Sequence, residues 1–417
     1  MRHEAAQDRE ADHAPPVLPE GGVRIAGGRP DDGRPPVLYR LKRSIECFTA
    51  SDGTVYLLHD GLDLRFEVPH PTPSDREVLE MLGSGFVSEG EIRARLRSLG
   101  MEDTSVTTSL IELDAIDLLE KTRGESLLSQ SQAERYDRQL IYFADVCGPG
   151  ENAETLQARL ARAHVVILGC GGLGSWAACG LACAGIGKLT LVDDDSVEVS
   201  NLNRQILFRE SDLGRAKVEA ARDSLAAYNS ELELEIHRLR VEGPAAIAGL
   251  IAEADALVGT ADWPPYELPR WINDACLEMG VPYLTAGQLP PSIRIGPTVV
   301  PGRTSCLECQ EEEARRDFPL YDELADFRAR KPSTASTLGT ASGVIGSMIA
   351  MEVVHLLTGA SLPATCDAAV MIDLRTLEST RESVPSREGC RCQSLSPARP
   401  SSARAPFLPG SSRPRSR

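Results

Sequence analysis

The stretch VVILGCGGLGSWAACGLACAGIGKLTLVDDD, which runs from Val165 to Asp195, constrains the fold more than any other part of the chain. Its first apolar run predicts a buried strand, the glycines predict a tight turn, and the following residues predict a helix and a second strand. This order is typical of the first unit of a nucleotide-binding sheet. It leaves open whether the nucleotide is a redox cofactor or ATP that is cleaved.

The glycine turn fits nucleotide binding. Gly169, Gly171 and Gly174 follow the spacing G-x-G-x-x-G, with Gly172 between them. Without Cβ atoms the backbone can approach a phosphate, and the N–H groups of a helix N-terminus can face it. The next strand ends at Asp193, 19 residues after the last glycine, where a carboxylate can hold ribose hydroxyls. Tight packing of the helix on the strand is the alternative role for these glycines.

A dense polar block follows the second strand and favours ATP over a redox cofactor. The segment SVEVSNLNRQILFRESDLGRAKVEAARDSL places Asn203, Arg204, Gln205 and Lys217 beside the predicted phosphate site. Cleavage of ATP to an acyl adenylate develops charge on the triphosphate, which cations can stabilise. The alternative is a surface loop followed by the solvated face of an amphipathic helix.

Composition excludes several classes of protein. The chain has 417 residues, 42% of them apolar, which is enough for two domains with real cores. A net charge of -17 argues against a nucleic-acid partner. The N-terminus lacks the apolar core of a signal peptide, and the apolar stretch from Gly343 to Leu357 is short for a membrane span. We therefore expect a soluble cytoplasmic protein without a membrane partner.

The chain divides into four predicted segments. Residues 1–36 and 393–417 are rich in Pro, Arg, Ser or Gly, and we expect both to be disordered. In residues 37–125, short strands precede three helices, two of them with Ser74 and Ser88 as expected N-caps, which predicts a winged-helix-like α+β domain. Residues 126–392 alternate strands with helices, which predicts a Rossmann-like, mainly parallel sheet with helices on both faces.

Five motifs in order resemble the ThiF/MoeB adenylyltransferases, which are relatives of the ubiquitin-activating enzymes. The resemblance extends from Glu134 to Cys392. The motifs are ERYDRQ, GCGGLGS, VDDDSVEVSNLNRQ, LGRAK and GTADW. The resemblance implies a ThiF-like fold and an ATP-dependent adenylyltransferase that uses Mg²⁺. One departure is Trp263, where many relatives carry Asn.

The resemblance also implies a role for individual residues. Gly172 would lie against the nucleotide, Asp193 would hold the ribose, and Asp262 would hold Mg²⁺ or the adenylate. Arg138 would reach as an arginine finger into the site of a neighbouring subunit, which implies a homodimer. The catalytic residues would be Arg138, Arg204, Lys217 and Asp262. The nucleotide-binding residues would be Gly169, Gly171, Gly172, Gly174, Asp193, Asp195, Ser200, Asn201, Asn203, Arg204, Lys217 and Asp262.

The 11 cysteines favour thiols or a metal site over disulfides, because the count is odd and no secretion signal precedes them. Relatives often carry C-x-x-C twice and bind a structural Zn²⁺, a role implied here for the pairs Cys306, Cys309 and Cys390, Cys392, the second one residue shorter. Free thiols are the alternative. Residues 310–342, where thioester-forming relatives carry their acceptor, contain no cysteine.

The other seven cysteines lie outside the predicted zinc site. Cys170, Cys179, Cys183 and Cys276 fall in glycine-loop or helix contexts, and we expect them to be small core residues. No role is predicted for Cys47, Cys147 and Cys366.

The N-terminal unit resembles, more loosely, the small winged-helix domains that bind leader peptides of ribosomally made, modified peptides. In that mode the leader adds a strand to a sheet edge; a generic dimerisation or packing domain is the alternative. We therefore expect ATP-dependent adenylation of a carboxylate on a precursor peptide or small carrier protein, with a nucleophile from the substrate or a partner modifying enzyme. A non-catalytic ThiF-like scaffold that delivers a leader peptide to a cyclodehydratase is the alternative function.

Overall fold

The structure, a computed structural model, describes residues 35–124, 126–148, 151–330 and 336–395. These residues divide into two compact units, one made of 35–129 with 140–153 and the other of 130–139 with 154–395. The predicted disordered segments, 1–36 and 393–417, lie almost entirely outside the described residues. The domain boundaries read from the sequence stay predictions.

The first unit is a small α+β structure. Its described strands form two antiparallel sheets, in the orders β5-β1-β6 and β2-β3-β4. Buried leucine, isoleucine and valine side chains of three helices pack with both sheets into one core. The elements are β1 (Leu38–Leu41), β2 (Glu46–Thr49), β3 (Val55–His59), β4 (Leu64–Val68), α1 (Pro73–Ser84), β5 (Val87–Ser88), α2 (Glu89–Ser98), α3 (Val106–Ala115) and β6 (Leu119–Thr122).

Side-chain caps set the starts of two helices in this unit. Ser88 caps α2 in a capping box, because its Oγ accepts the N–H of Glu91 and the Glu91 carboxylate accepts the N–H of Ser88. The prediction that Ser74 caps α1 is wrong, since Thr72 is the N-cap and Ser74 lies buried in the first turn. Pro73 occupies the first helical position, where its fixed φ suits the helix, so the helix begins earlier than expected.

The second unit contains one mixed eight-stranded sheet among the described residues, in the order β14-β13-β12-β11-β10-β7-β8-β9. The strands from β11 to β9 in that order are parallel, and β12, β13 and β14 are antiparallel. The α5 helix begins in this unit and continues into the first. The elements are α4 (Gln130–Arg135), α5 (Asp137–Val146), α6 (Ala153–Leu160), β7 (His164–Leu168), α7 (Gly172–Ala184), β8 (Lys188–Val192), α8 (Lys217–Tyr228), β9 (Glu233–His237), α9 (Pro244–Ile251), β10 (Ala256–Gly259), α10 (Glu267–Met279), β11 (Tyr283–Leu289), β12 (Ser292–Val299), α11 (Leu307–Asp317), α12 (Tyr321–Ala329), α13 (Gly339–Thr358), β13 (Ala368–Asp373), β14 (Ser379–Ser383) and α14 (Arg391–Ser394).

The strand order creates a crevice at one edge of this sheet. From β7 the chain moves outward through β8 to β9, then returns to the other side of β7 to form β10 and β11. Ligands of open α/β sheets bind at the carboxyl ends of the strands where the order reverses in this way. The glycine turn after β7 and the segment after β10 meet at that point, so the fold confirms the Rossmann-like prediction.

The apolar helix α13 packs inside this unit. Its 20 residues exceed the stretch expected from the sequence, and among the described residues it is the helix long and apolar enough to span a membrane. Most of its apolar window is nevertheless buried, as in a core helix. Gly343 and Gly346 lie directly against Trp176 of α7, where a Cβ atom on Gly346 would overlap the tryptophan side chain. The two helices therefore approach closely.

Candidate nucleotide site and metal site

The glycines of the turn after β7 have different reasons to be glycine. A Cβ atom on Gly169, whose φ is +98°, would lie 2.5 Å from the Ala261 nitrogen, and one on Gly174 would overlap the carbonyl oxygen of Gly169. Close packing requires glycine at both positions, and the positive φ of Gly169 favours it there as well. Gly171 is different, since its nearest protein neighbour would be 4.0 Å from a Cβ atom, and it begins α7 without a side-chain cap. The uncapped N–H groups of the first turn can therefore receive an anion.

Asp193 is fixed at the end of β8, beside this turn. Its carboxylate accepts the backbone N–H of Cys170 at 2.7 Å and that of Asp195 at 2.9 Å. Burial raises the pKa of Asp193, while the Lys217 ammonium and the two N–H donors act in the opposite direction. The arrangement suits a carboxylate that accepts further hydrogen bonds from a ligand.

Lys217 is the first residue of α8, and its side chain pairs with the acidic segment after β8, residues 193–195. Its side chain is 7% exposed, and its Nζ lies 2.7 Å from the Asp195 carboxylate. The Lys217 backbone N–H also donates to the Asp195 carbonyl at 3.0 Å. The structure therefore brings Asp193, Asp195 and Lys217 together. The carboxylates of Asp193, Asp194 and Asp195 lie within 4.8 Å of one another, and Asp194 is a member that the sequence analysis missed.

Arg204 lies at the end of a short turn that orients its guanidinium. Its Nη1 donates to the Ser200 carbonyl at 2.7 Å and to Asn203 Oδ1 at 3.1 Å. The buried Asn201 closes the turn, because its carbonyl accepts the N–H groups of Arg204 and Gln205. Ser200, Asn201 and Asn203 thus share one local structure with Arg204.

The turn of residues 200–204 lies against the glycine loop, which is residues 169–174. A Cβ atom on Gly172 would lie 3.5 Å from the Arg204 side chain and 2.9 Å from Ser342 Oγ, so only glycine leaves room for both. Trp176 Nε1 donates to the Arg204 carbonyl at 3.1 Å. Gln205 is buried, and its Oε1 has no hydrogen-bond partner among the described residues. A buried amide oxygen without a partner next to the loop fits a site that a polar ligand completes.

Two predicted catalytic residues, Arg138 and Asp262, make no hydrogen bond with this cluster in the described part of the chain, although Asp262 directly follows Ala261, which packs against Gly169. Asp262 is exposed in the segment after β10, at the same edge of the sheet as the glycine loop. Arg138 is 92% exposed, and its ion pair is with the neighbouring Asp137 at 3.9 Å. No hydrogen bond among the described residues joins Arg138 to the glycine loop of its own chain. The roles of both residues stay predictions.

Four buried cysteines form a compact cluster. The Sγ atoms of Cys306, Cys309, Cys390 and Cys392 lie within 4.8 Å of one another, with 3.6 Å between Cys306 and Cys390 and 3.8 Å between Cys309 and Cys392. A tetrahedron with Zn–S bonds of about 2.3 Å separates its sulfurs by about 3.8 Å, whereas a disulfide needs about 2.05 Å. Burial raises the pKa of Cys306 to about 12 in the absence of a cation. The geometry fits Zn²⁺, and the shorter second pair still converges.

The remaining cysteines only partly follow the sequence interpretation. Cys170 and Cys276 are buried, as expected. The expectation that Cys183 is a core residue is wrong, because it faces outward near the end of α7, and Cys179 is half-buried. Burial raises the pKa of Cys366 to about 12, which makes it an inert thiol.

Comparison with known proteins identifies the family. The ThiF family matches residues 136–393, which is more than half of the chain. The chain belongs to the ThiF family. It is 32% identical over 230 residues to the sulfur carrier protein ThiS adenylyltransferase of Escherichia coli K12, covering 55% of this chain and 83% of that protein. It is also 32% identical over 267 residues to the molybdopterin-synthase adenylyltransferase of the same strain, covering 63% and 97%.

Solved structures extend the similarity to the first unit. E. coli MccB, in complex with AMPCPP and MccA, matches with a TM-score of 0.66 and 25% identity over 85% of this chain and 98% of that one. PaaA matches with a TM-score of 0.66 and 24% identity, over 82% and 99%, which supports the fold. These findings confirm the predicted family, fold and ATP-dependent adenylyltransferase class.

The geometry of the four-cysteine cluster predicts the zinc content of the protein. Purified protein should contain about one Zn²⁺ per chain, because four thiolates complete one tetrahedral site. Cys390→Ser should lose most of this metal and lower the unfolding temperature, since zinc binding contributes to folding. The measurements are metal analysis by plasma mass spectrometry and thermal unfolding.

Cys183→Ser is the matched control, because Cys183 is exposed and outside the cluster. It should retain the metal and the stability of the natural protein. Freshly reduced protein that contains no zinc, prepared without a chelator, would contradict the metal assignment.

Proposed function

We propose that this chain activates a carboxylate of a precursor peptide as an acyl adenylate, in the biosynthesis of a ribosomally made, modified peptide. The observation that carries the proposal is the pair of cations, Arg204 and Lys217, held beside an uncapped glycine loop at the switch point of the sheet. Membership of the ThiF family supports adenylation. The match to MccB, a microcin C7 biosynthetic enzyme that binds AMPCPP and MccA, supports a peptide substrate.

The proposed reaction joins the carboxylate to the α-phosphorus of ATP. A carboxylate oxygen forms the new bond, the bond to the bridging oxygen breaks, and pyrophosphate leaves with the electron pair. Negative charge shifts onto the pyrophosphate, where the Arg204 guanidinium and the Lys217 ammonium stabilise it. Mg²⁺ would neutralise further phosphate charge, and Asp262 would hold it. The carboxylates of Asp193, Asp194 and Asp195, which lie within 4.8 Å of one another, are further oxygen donors of the kind that Mg²⁺ takes.

Arg138 acts across a subunit interface in this proposal. Its side chain is 92% exposed and makes no described contact with the glycine loop of its own chain. A homodimer in which Arg138 enters the partner's site would supply a third cation to the phosphates. A cation placed where charge develops is worth several orders of magnitude in rate in comparable phosphoryl-transfer sites.

The first unit would recognise the peptide through an open sheet edge. Within the described residues β6 is an edge strand with β1 as its one strand neighbour, and its Lys121 carbonyl accepts a hydrogen bond from Asn152 Nδ2 at 3.5 Å. A cleft of 490 Å³ lies beside it, with an apolar wall, two cations and two carboxylates among its lining residues. An extended peptide can add a strand to such an edge and place alternate side chains in the cleft. The apolar, aromatic and cationic side chains that line the cleft are those of Val37, Tyr39, Leu110, Ile111, Lys121 and Arg123.

Isotope exchange tests the adenylation proposal. With ATP, Mg²⁺ and a short peptide encoded beside the chain's own gene, the protein should exchange labelled pyrophosphate into ATP, because adenylation is reversible. Arg204→Ala and Lys217→Ala should each lower this exchange by roughly 100-fold, the scale of losing one preorganised charge stabiliser. Arg138→Ala should fail alone and regain part of the activity when mixed with Lys217→Ala protein, since a mixed dimer rebuilds one complete site.

Arg222→Ala is the matched control, because Arg222 lies on α8 with Lys217 but pairs with Asp223 at the surface. It should retain normal exchange. Natural protein that forms neither exchanged ATP nor AMP with its peptide would favour the non-catalytic scaffold instead. Exchange that survives all three active-site substitutions would contradict the placement of the site.

Peptide binding tests the role of the cleft. Ile111→Asp should weaken binding of a fluorescent peptide at least tenfold, because it places a charge on the apolar wall that the peptide covers. Leu99→Asp is the control, since both side chains are 42% exposed but Leu99 lies outside the cleft. It should leave the affinity within twofold. Equal losses in the two variants, measured by fluorescence anisotropy, would remove the cleft from peptide recognition.

A further inference from the structure

The hairpin of β11 and β12 extends beyond the rest of the parallel sheet. The last residue of β11 that pairs with β10 is Thr285, opposite Gly259. β11 continues to Leu289 and pairs there only with β12 among the described residues. Gln288 therefore stands three residues past the end of β10, on the same side as the glycine loop and Asp262.

Gln288 is connected to the glycine loop through one serine. Its Nε2 donates to Ser342 Oγ at 2.8 Å. Ser342 lies in the first turn of α13 and is fully buried, and its Oγ would lie 2.9 Å from a Cβ atom on Gly172. The serine hydroxyl thus occupies the space that a Gly172 side chain would fill. The same hydroxyl accepts the Gln288 hydrogen bond, so it lies between the Gln288 amide and the glycine loop.

The order of strand ends indicates what Gln288 faces. Along the edge of the sheet the ends follow in the order β8, β7, β10 and β11, spaced by about 4.8 Å. Asp193 ends β8 and the glycine loop follows β7, so the nucleotide takes the first half of this edge. The carboxylate that bonds to the α-phosphorus must come from the other side, which is the half formed by β10 and β11.

The bond to Ser342 also orients the Gln288 amide. Because Nε2 is engaged by Ser342, the Oε1 atom points away from the serine, and it accepts no hydrogen bond from the described residues. Gln288 is half-buried, so its amide remains accessible from the crevice. A fixed amide oxygen selects a ligand that offers an N–H donor, since a ligand without one leaves the oxygen unpaired.

We infer that Gln288 is the specificity residue of the acyl side, that its Oε1 accepts the backbone N–H of the residue whose carboxylate is adenylated, and that Ser342 is its positioning residue. This inference rests on the proposed adenylation and adds the residues that recognise the acyl chain next to the carboxylate that reacts.

Two stable mimics of the acyl adenylate test the inference without the natural peptide. Both are acyl-sulfamoyladenosines, one with an N-acetylglycyl group and one with an N-acetyl-N-methylglycyl group, which lacks the N–H. The natural protein should bind the first about tenfold more tightly than the second by calorimetry, the scale of one hydrogen bond to a group that is otherwise left unpaired. In Gln288→Ala this ratio should fall to about one, and in Ser342→Ala it should fall towards one, with ATP affinity retained in both.

Ser347→Ala is the matched control, because Ser347 lies on α13 but is exposed. It should keep the natural ratio. A ratio near one in the natural protein, a ratio unchanged by Gln288→Ala, or loss of ATP binding in Gln288→Ala would overturn the inference while natural protein still binds ATP. Natural protein that binds neither ATP nor either mimic would overturn the proposed function together with the inference that rests on it.

Discussion

The close approach of α7 and α13 at the glycine loop is the constraint on which the site depends. Glycines at 343 and 346 allow α13 to lie against Trp176, and the missing side chain of Gly172 leaves room for Ser342 and Arg204. Larger residues at these positions would separate the two helices, because overpacked cores shift rather than compress. The same packing therefore holds Arg204 and the β11–β12 hairpin next to one turn of backbone.

Electrostatics then determine what this geometry can bind. The uncapped N-terminus of α7 and the side chains of Arg204 and Lys217 place positive charge beside the loop, in a chain whose net charge is -17. Lys217 is buried but keeps Asp195 as its partner, so its charge does not need a ligand for stability. Burial raises the pKa of Asp193, and backbone donors oppose that shift. Positive groups are thus held in place beside the loop, as the proposed binding of an anionic nucleotide requires.

Local sequence patterns were enough to predict much of this. The glycine spacing, the Asp193 strand end and the Ser88 capping box each depend on residues a few positions apart. Over such a distance, the hydrophobic period and the residue types predict the local structure. The two cysteine pairs could also be recognised from their local spacing. Their convergence on one site depends on contact between α11 and α14, which local spacing does not predict. The prediction of Ser74 as the N-cap was wrong because Pro73 takes the first helical position, which makes Thr72 the N-cap.

What the sequence could not supply are contacts between distant segments. Gln288 and Ser342 are 54 positions apart and meet only because the β11–β12 hairpin extends past β10. No motif marks either residue. The spacing also could not tell which glycines are close-packed, since Cβ atoms on Gly169 and Gly174 would meet backbone atoms, whereas one on Gly171 would have its nearest protein neighbour at 4.0 Å. Such distinctions require the distances themselves.

The origin of the oxygen in AMP tests the central claim most directly. A peptide substrate whose reacting carboxylate carries ¹⁸O is incubated with the protein, ATP, Mg²⁺ and hydroxylamine as the capturing nucleophile, and the products are analysed by mass spectrometry. The AMP should contain one ¹⁸O, since the carboxylate oxygen bonds to the α-phosphorus and stays there when the acyl group is captured. Label in inorganic phosphate with ADP as the other product, or AMP without label, would contradict it.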